Sequence, residues 1–405
     1  MTHLSLASFA HGAKGNTDKN VSKTEGLHVC FVSSFPPNYA RLSEYASFLI
    51  NELRKHPGIK HIDVIADRAA SSEKVKIDDK LTVRHVWRAD DILSIISVFW
   101  IVLKLKPDVV HFNVAMAVFG RSRLSNFVGL LLPFLCSLTG FRTVVTLHNV
   151  IERVDVERMG FKMSLLNRIG SYIVLKLMTS HSTVTVLVRS YVELLRKKYG
   201  AKNVFFIPHG TLKVNPTDHG FPSNPKVILY MGHTGPSKDL DLLLRSFGVL
   251  NQKRDNVRLV IAGRSHPNYP RFLEKYKDIK LPNVQFVGYV PNDRLHLLFH
   301  RTHVLVLPYH TCTGTSGMAH LAASFGVPIV ATELPEFKEL VKEGCGIILC
   351  SHTVDSMVEK VQYVLDHPEV SSSLRRRSLE FAGTRTWDKI AKEFFKHYKS
   401  DLSRG

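Results

Sequence analysis

Three short stretches hold the residues best suited to bind an anion. The first is Thr313-Gly314-Thr315-Ser316-Gly317-Met318, a Gly-rich run between an apolar strand-length segment and a helix start. Such a turn collects unpaired backbone N–H groups at the positive end of a helix dipole, which suits a phosphate. The second is Gly232-His233-Thr234-Gly235-Pro236-Ser237-Lys238, and the third is Gly263-Arg264. Each follows its own apolar strand-length run. Lys238 and Arg264 supply positive charge, and the Gly317 helix start supplies donors. Together they could neutralise a pyrophosphate. No pair of the five cysteines shows metal-ligand or redox spacing.

These loops need a frame in which strand ends converge. From residue 27 the chain alternates short Val/Ile/Leu-rich runs with amphipathic or apolar helical stretches. The runs lack polar alternation, as strands buried on both faces do. The order predicts an α/β protein with parallel sheets flanked by helices. Residues 1–26 read as a polar tail and 27–210 as a first doubly wound domain. Residues 211–225, with their prolines, read as a linker. Residues 226–383 read as a second such domain and 384–405 as a final amphipathic helix. Ligands in such sheets sit beyond the carboxyl ends of the strands, so a cleft between the halves is the expected site.

The chain has 405 residues, with 54 Lys+Arg against 35 Asp+Glu, a net charge of +19. This excess suits polyanionic partners: phosphorylated small molecules, an anionic membrane face or nucleic acid. Zinc-finger spacing, a basic zipper and RNA-binding aromatic signatures are absent, which argues against nucleic acid. The five cysteines are scattered and odd in number, so a reducing compartment is expected. The polar start lacks the apolar core of a signal peptide, which predicts a cytoplasmic protein. Two stretches, 91–106 and 124–141, are strongly apolar. Pro133 and the strand that follows argue for a packed helix over a membrane span in the second. Partial immersion in an anionic membrane surface fits both.

Several motifs occur in an order that resembles family 4 glycosyltransferases of the GT-B type, with two Rossmann-like domains. Lys106-Pro107-Asp108-Val109-Val110-His111 is similar to "RPDVVH", Thr146-Leu147-His148-Asn149 to "TxHN", and Ile207-Pro208-His209-Gly210 to "IPHG". Tyr230-Met231-Gly232 with Lys238, Phe286-Val287-Gly288-Tyr289-Val290-Pro291, and Gly326-Val327-Pro328-Ile329-Val330-Ala331-Thr332 continue the series. The resemblance spans residues 27–400. It implies a retaining hexosyltransferase that needs no metal or other cofactor. A nucleotide-sugar donor, UDP or GDP type undecided, would sit in the second half. A glycan or lipid-linked acceptor would sit in the first.

In that reading Lys238 and Arg264 serve the leaving group and His148 meets the sugar hydroxyls. Gly232, His233, Gly263, Thr313, Gly314, Thr315, Ser316, Gly317 and Met318 hold the donor. Residues 36–41, with Pro37, Asn38, Tyr39 and Arg41, form the acceptor-side loop. The Trp387 helix would return to the first half. The family's two donor-side glutamates fall on Thr313 and Leu321 here, so donor binding is expected to differ locally. Glu336 or Glu339 could replace the missing ribose contact, with Glu339 also readable as a solvated helix-start carboxylate. A non-catalytic nucleotide-sugar-binding protein and a sugar-nucleotide epimerase of the same fold are the alternatives.

Overall fold

A computed structural model describes residues 26–38, 42–68, 74–153, 164–214, 224–266, 269–312 and 314–400. The first domain holds β1 (Leu27–Val32), β2 (Ile59–Asp67), β3 (Lys74–Asp78), β4 (Leu81–Trp87), β5 (Val109–Val114), β6 (Arg142–Leu147), β7 (Thr183–Val186) and β8 (Val204–Phe206). They form one sheet in the order β3-β4-β2-β1-β5-β6-β7-β8. All neighbouring pairs are parallel except β3 with β4. The antiparallel β3 was not foreseen. Its sequence, Lys-Val-Lys-Ile-Asp, alternates polar and apolar residues as an edge strand does.

The second domain holds β9 (Lys226–Met231), β10 (Val257–Ala262), β11 (Val284–Gly288), β12 (Thr302–Leu307), β13 (Ile329–Thr332) and β14 (Ile347–Cys350). Their order is β11-β10-β9-β12-β13-β14, parallel throughout. The order reverses between β9 and β12. The loops that leave these two strands therefore lie side by side with no helix between them, which is the ligand position of a doubly wound sheet. Burial on both faces explains the unbroken apolar runs, with one exception. β11 is an edge strand, and most of it is exposed.

The helix Trp387–Lys399 belongs by packing to the first domain. Trp387, Ile390, Phe394 and Tyr398 complete the core that includes Val29, Phe31, Tyr45 and Leu49. Its entry is fixed by backbone bonds: Thr211 N–H donates to the Arg385 carbonyl and Trp387 N–H to the Thr211 carbonyl, at 3.0 and 3.1 Å. The indole lies against Gly210, where a Cβ would stand 2.3 Å from the ring. Only a glycine leaves room there.

The apolar segment around Pro133 is a single helix, Arg123–Leu138, that contains the proline. It lies between the helices Ile92–Leu105 and Leu165–His181 on one face of the first sheet. Among the described residues no helix is long and apolar enough to cross a membrane. All five cysteines are buried and free.

Candidate active site

A cleft of about 330 Å³ lies between the two domains. From the first domain it receives Leu42, Glu44, Tyr45, Phe48, His148 and His209. From the second it receives the loops after β9, β10, β11 and β12. Of the residues expected from sequence, His148, Gly232, His233, Lys238, Gly263, Arg264 and the run 314–318 all line it. Thr313, Tyr39 and Arg41 lie outside the described residues. Pro37 and Asn38 are not among the cleft residues. The Asn38 amide instead donates to the Asp67 carboxylate at the end of β2, and Phe35 N–H donates to the same group.

Backbone glycines shape the donor side. Gly232 and Gly263 have φ of +130° and +127°, in the left-handed half of conformational space. A Cβ on Gly263 would stand 2.0 Å from the Gly232 carbonyl oxygen. The two strand-end turns are therefore stacked directly on each other, which brings Lys238 and Arg264 to one wall. Above them the helix Gly317–Ser324 begins. Ser316 caps it, with its hydroxyl accepting from Ala319 N–H. The Thr315 hydroxyl oxygen is buried and has no partner within the described protein. A buried hydroxyl without a partner is costly, and a bound anion would satisfy it.

Both cations rest on aromatic rings. The Lys238 ammonium lies 2.9 Å from the centre of the Tyr309 ring, and the Arg264 guanidinium lies 4.3 Å from that of Tyr289. Among the described residues neither is in a salt bridge. Loss of water lowers the Lys238 pKa to about 8. It therefore stays largely protonated near neutral pH, as a partly desolvated cation with no counter-charge paired to it among the described residues. That is the condition under which a phosphate gains most from a protein cation. Lys238 and Tyr309 are held opposite each other by an antiparallel bridge between their segments.

On the facing wall His148 is buried. Its Nε2 lies 2.7 Å from the Asn113 Oδ1. Asn113 in turn donates through its amide to the Ser33 hydroxyl, at 2.9 Å. That network leaves Oδ1 as the acceptor, so Nε2 carries the proton and Nδ1 keeps a lone pair. Burial, reinforced by His209 and His111, lowers the His148 pKa to about 3. The side chain is thus a neutral acceptor suited to a sugar hydroxyl.

Sequence reasoning missed three contributors. Glu44, on the helix Ser43–Leu53, lines the cleft from the first domain. Burial raises its pKa, while the Arg264 charge across the cleft pulls it back. Tyr45 packs edge-on against His148, with ring centres 4.6 Å apart. His209 packs against His320 of the opposite domain, with ring centres 4.7 Å apart and planes tilted by 37°. Nothing about Glu44 stood out locally, since it is one acid in an ordinary helix start.

The acids considered as stand-ins for the family's ribose contact are engaged elsewhere. Glu336 is buried and accepts from the Tyr191 hydroxyl at 3.2 Å. Glu339 accepts from the backbone N–H groups of Arg189 and Ser190 rather than facing solvent. Both join the two domains and neither lines the cleft. Leu321 does line it.

Two facing Rossmann-like parallel sheets, a cleft at their strand ends and a final helix returning to the first domain define a GT-B fold. Residues 213–381 match the family described as glycosyl transferases group 1. The chain is 24% identical over 220 residues to the lipopolysaccharide 1,2-N-acetylglucosaminetransferase of Salmonella typhimurium. That match takes in 49% of this chain and 57% of the relative.

Among solved structures, the sucrose-phosphate synthase of Thermosynechococcus elongatus superposes with a TM-score of 0.74 at 15% identity, over 94% of this chain and 100% of that one. HepE of Anabaena, solved with UDP and glucose, gives 0.67 at 14% identity, over 92% and 100%. WaaG, described as a glycosyltransferase involved in lipopolysaccharide biosynthesis, gives 0.66 at 13%, also over 92% and 100%. At these identities the structural likeness establishes the fold.

Proposed function

We propose that the chain is a glycosyltransferase. It would transfer a hexose from a nucleoside-diphosphate sugar, with retention at the anomeric carbon, to a lipid-linked or polysaccharide-precursor acceptor. The observation that carries this reading is Lys238: a desolvated cation with no salt-bridge partner among the described residues, set on Tyr309 beside the Gly314–Gly317 turn in a two-domain cleft. The match of residues 213–381 to glycosyl transferases group 1 and the lipopolysaccharide relative support it.

As the bond from the anomeric carbon to the diphosphate oxygen breaks and the acceptor hydroxyl oxygen bonds to that carbon, negative charge grows on the leaving diphosphate, which takes up the hydroxyl proton. Lys238 and Arg264 stabilise that charge, with backbone donors at the start of the Gly317–Ser324 helix. Charge compensation at the leaving group is thus assigned to protein groups rather than to a metal. His148 accepts a hydroxyl of the donor sugar through Nδ1. Glu44 and the first-domain wall face the acceptor. The donor is a UDP- or GDP-sugar. HepE was solved with UDP and glucose, which makes UDP-sugars the first to try.

We place the enzyme at the cytoplasmic face of a membrane. Three neighbouring helices expose apolar side chains on one side of the first domain: Leu93 and Trp100, Leu124 and Leu138, Leu165 and Leu166. Leu93 and Leu166 are about four-fifths exposed, at 81% and 80%. Arg123 and Arg168 on the same helices are also exposed. An apolar face with basic residues beside it matches the interface of an anionic bilayer.

A second reading rests on Leu321, which places an apolar side chain where the family resemblance puts a carboxylate. A non-catalytic nucleotide-sugar-binding protein would tolerate that loss. Thermal shift with UDP-, GDP- and ADP-sugars identifies the donor, because specific binding stabilises the folded state. Transfer or slow hydrolysis of that donor, lost in Lys238→Ala, supports the transferase. Binding without turnover supports the second reading. Isomerisation of the donor with no acceptor present would make the protein an epimerase.

A further inference from the structure

Three side chains from three separate segments meet on the second domain without entering the cleft. Asp239 follows Lys238 and caps the helix Leu240–Lys253, its Oδ1 accepting from Leu242 N–H at 2.9 Å. That leaves Oδ2 free for other partners. His310 follows Tyr309 after β12, and its Nε2 lies 3.0 Å from Asp239 Oδ2. His352 follows β14, and its Nε2 lies 3.2 Å from the same oxygen. The two imidazole rings are tilted by 35° with centres 4.2 Å apart. One donor atom from each of the three residues lies within 4.8 Å of the other two.

We propose that Asp239, His310 and His352 form a zinc site that locks the Lys238 loop to the Tyr309 loop. Tetrahedral zinc takes imidazole nitrogens and carboxylate oxygens at about 2.0–2.2 Å, which puts neighbouring ligand atoms roughly 3.3 Å apart. The observed 3.0 and 3.2 Å lie close to that spacing. Two imidazoles and one carboxylate are a donor set for zinc and its transition-metal neighbours, whereas magnesium and calcium prefer oxygen alone. Three protein ligands leave the fourth position to water. The supporting contacts are in place as well. Asp239 is oriented by its helix cap, and the backbone N–H of His310 donates to the Ser237 carbonyl at 3.0 Å, which fixes the loop that carries the imidazole.

The role follows from the backbone. Asp239 N–H donates to the Pro308 carbonyl at 2.8 Å, and the Ser237–His310 bond lies on the other side of the Lys238–Tyr309 bridge. Successive residues of extended segments point to opposite faces. Lys238 and Tyr309 line the cleft, and Asp239 and His310 do not. An ion on the outer face would add a fastening to two loops already joined by these backbone bonds and the Lys238–Tyr309 contact. It would do so without touching the leaving group.

The test uses the full-length protein, stripped by chelator and titrated with Co²⁺. One equivalent should produce the visible d–d absorption of four-coordinate cobalt, and Zn²⁺ should displace it. His352→Asn and His310→Asn should each weaken binding at least ~100-fold, while His3→Ala with His11→Ala leaves it unchanged. His352 is exposed, so its variant should keep the far-ultraviolet circular dichroism of the parent. Zn²⁺ should raise the Tm of the parent and not of the variants. Absence of the cobalt band, or a band that survives both histidine substitutions, would overturn the proposal. The readout is metal binding alone, so it stands apart from the outcome of any sugar-transfer assay.

Discussion

The backbone carbonyl of His148 closes over Gly314. A Cβ at residue 314 would stand 2.1 Å from that oxygen, and φ there is +113°. The end of β6 in the first domain and the Gly-rich turn of the second therefore touch through backbone alone. Gly314→Ala is expected to destabilise by about 1–3 kcal/mol through strain and the clash, and to reduce turnover at least tenfold. Gly140→Ala is the control. Gly140 also has positive φ, at +87°, but nothing lies within 4 Å of its Cβ position. Equal losses in the two variants, by denaturant melts and initial rates, would mean that the approach to His148 carries no cost.

Lys238 sets a pH dependence for donor binding. Burial lowers its pKa to about 8, so the cation is lost as pH rises through that value. Donor affinity should therefore fall between pH 7 and 9 and hold steady in Lys238→Arg. Lys238→Ala should weaken donor binding by roughly 10–100-fold, the worth of a charged hydrogen bond. The stability sign runs the other way. Unfolding raises this pKa toward the free-lysine value, so the ligand-free protein gains stability as pH rises above about 8. Calorimetric titration at several pH values and melts of the apoprotein check both.

Four buried histidines predict steep acid lability. Burial lowers the pKa of His111 and His148 to about 3 and of His209 to about 4, and pushes His320 well below its usual range. Their unfolded values lie near 6.5, so the unfolded chain binds more protons below that pH. The stability they contribute is complete above about 6.5 and is lost as pH falls toward 4. Each adds a slope of roughly 1.4 kcal/mol per pH unit inside that window. His111→Asn should flatten the fall in Tm between pH 6.5 and 4.5. An unchanged slope would remove His111 from the explanation.

Trp387 ties the last helix to the first domain. Its ring lies 5.0 Å from Tyr45, 5.7 Å from Phe48 and 5.2 Å from His209, all centre to centre. Trp387→Ala should cost about 3–5 kcal/mol. Gly210→Ala should cost a comparable amount, because its Cβ would enter the indole. Measured together, the pair should be less than additive, since each disturbs the same contact.

The exposed apolar face predicts membrane binding. The protein should float with vesicles that contain anionic lipid at low salt. Leu165→Glu combined with Leu166→Glu should abolish flotation and leave turnover on a water-soluble acceptor analogue intact. A parent protein that stays wholly in solution removes the membrane assignment.

Much of the frame was legible from pattern alone. Runs such as Thr302–Leu307 or Ile329–Thr332 are mostly apolar without alternation, because parallel strands are covered on both faces. Gly232, Gly263 and Gly314 stood out at strand ends, where a doubly wound sheet keeps its ligands. Their individual duties did not. Gly263 makes way for the Gly232 carbonyl, and Gly314 for that of His148. A sequence records that a residue has no side chain, not what occupies the space.

The sequence by itself determined most of the order of strands and helices, though not the edge strand Lys74–Asp78, together with the strand-end loops and the charge on Lys238 and Arg264. Local propensity and apolar periodicity act within one stretch of chain, so they can be read there. Tertiary structure decided which side chains meet. Lys238 rests on Tyr309 because β9 and β12 are neighbours at the point where strand order reverses. Arg264 acts on Glu44 because the domains close on each other. Asp239, His310 and His352 converge because the ends of three strands converge. Such encounters depend on sheet order and domain closure, which no single stretch of residues contains.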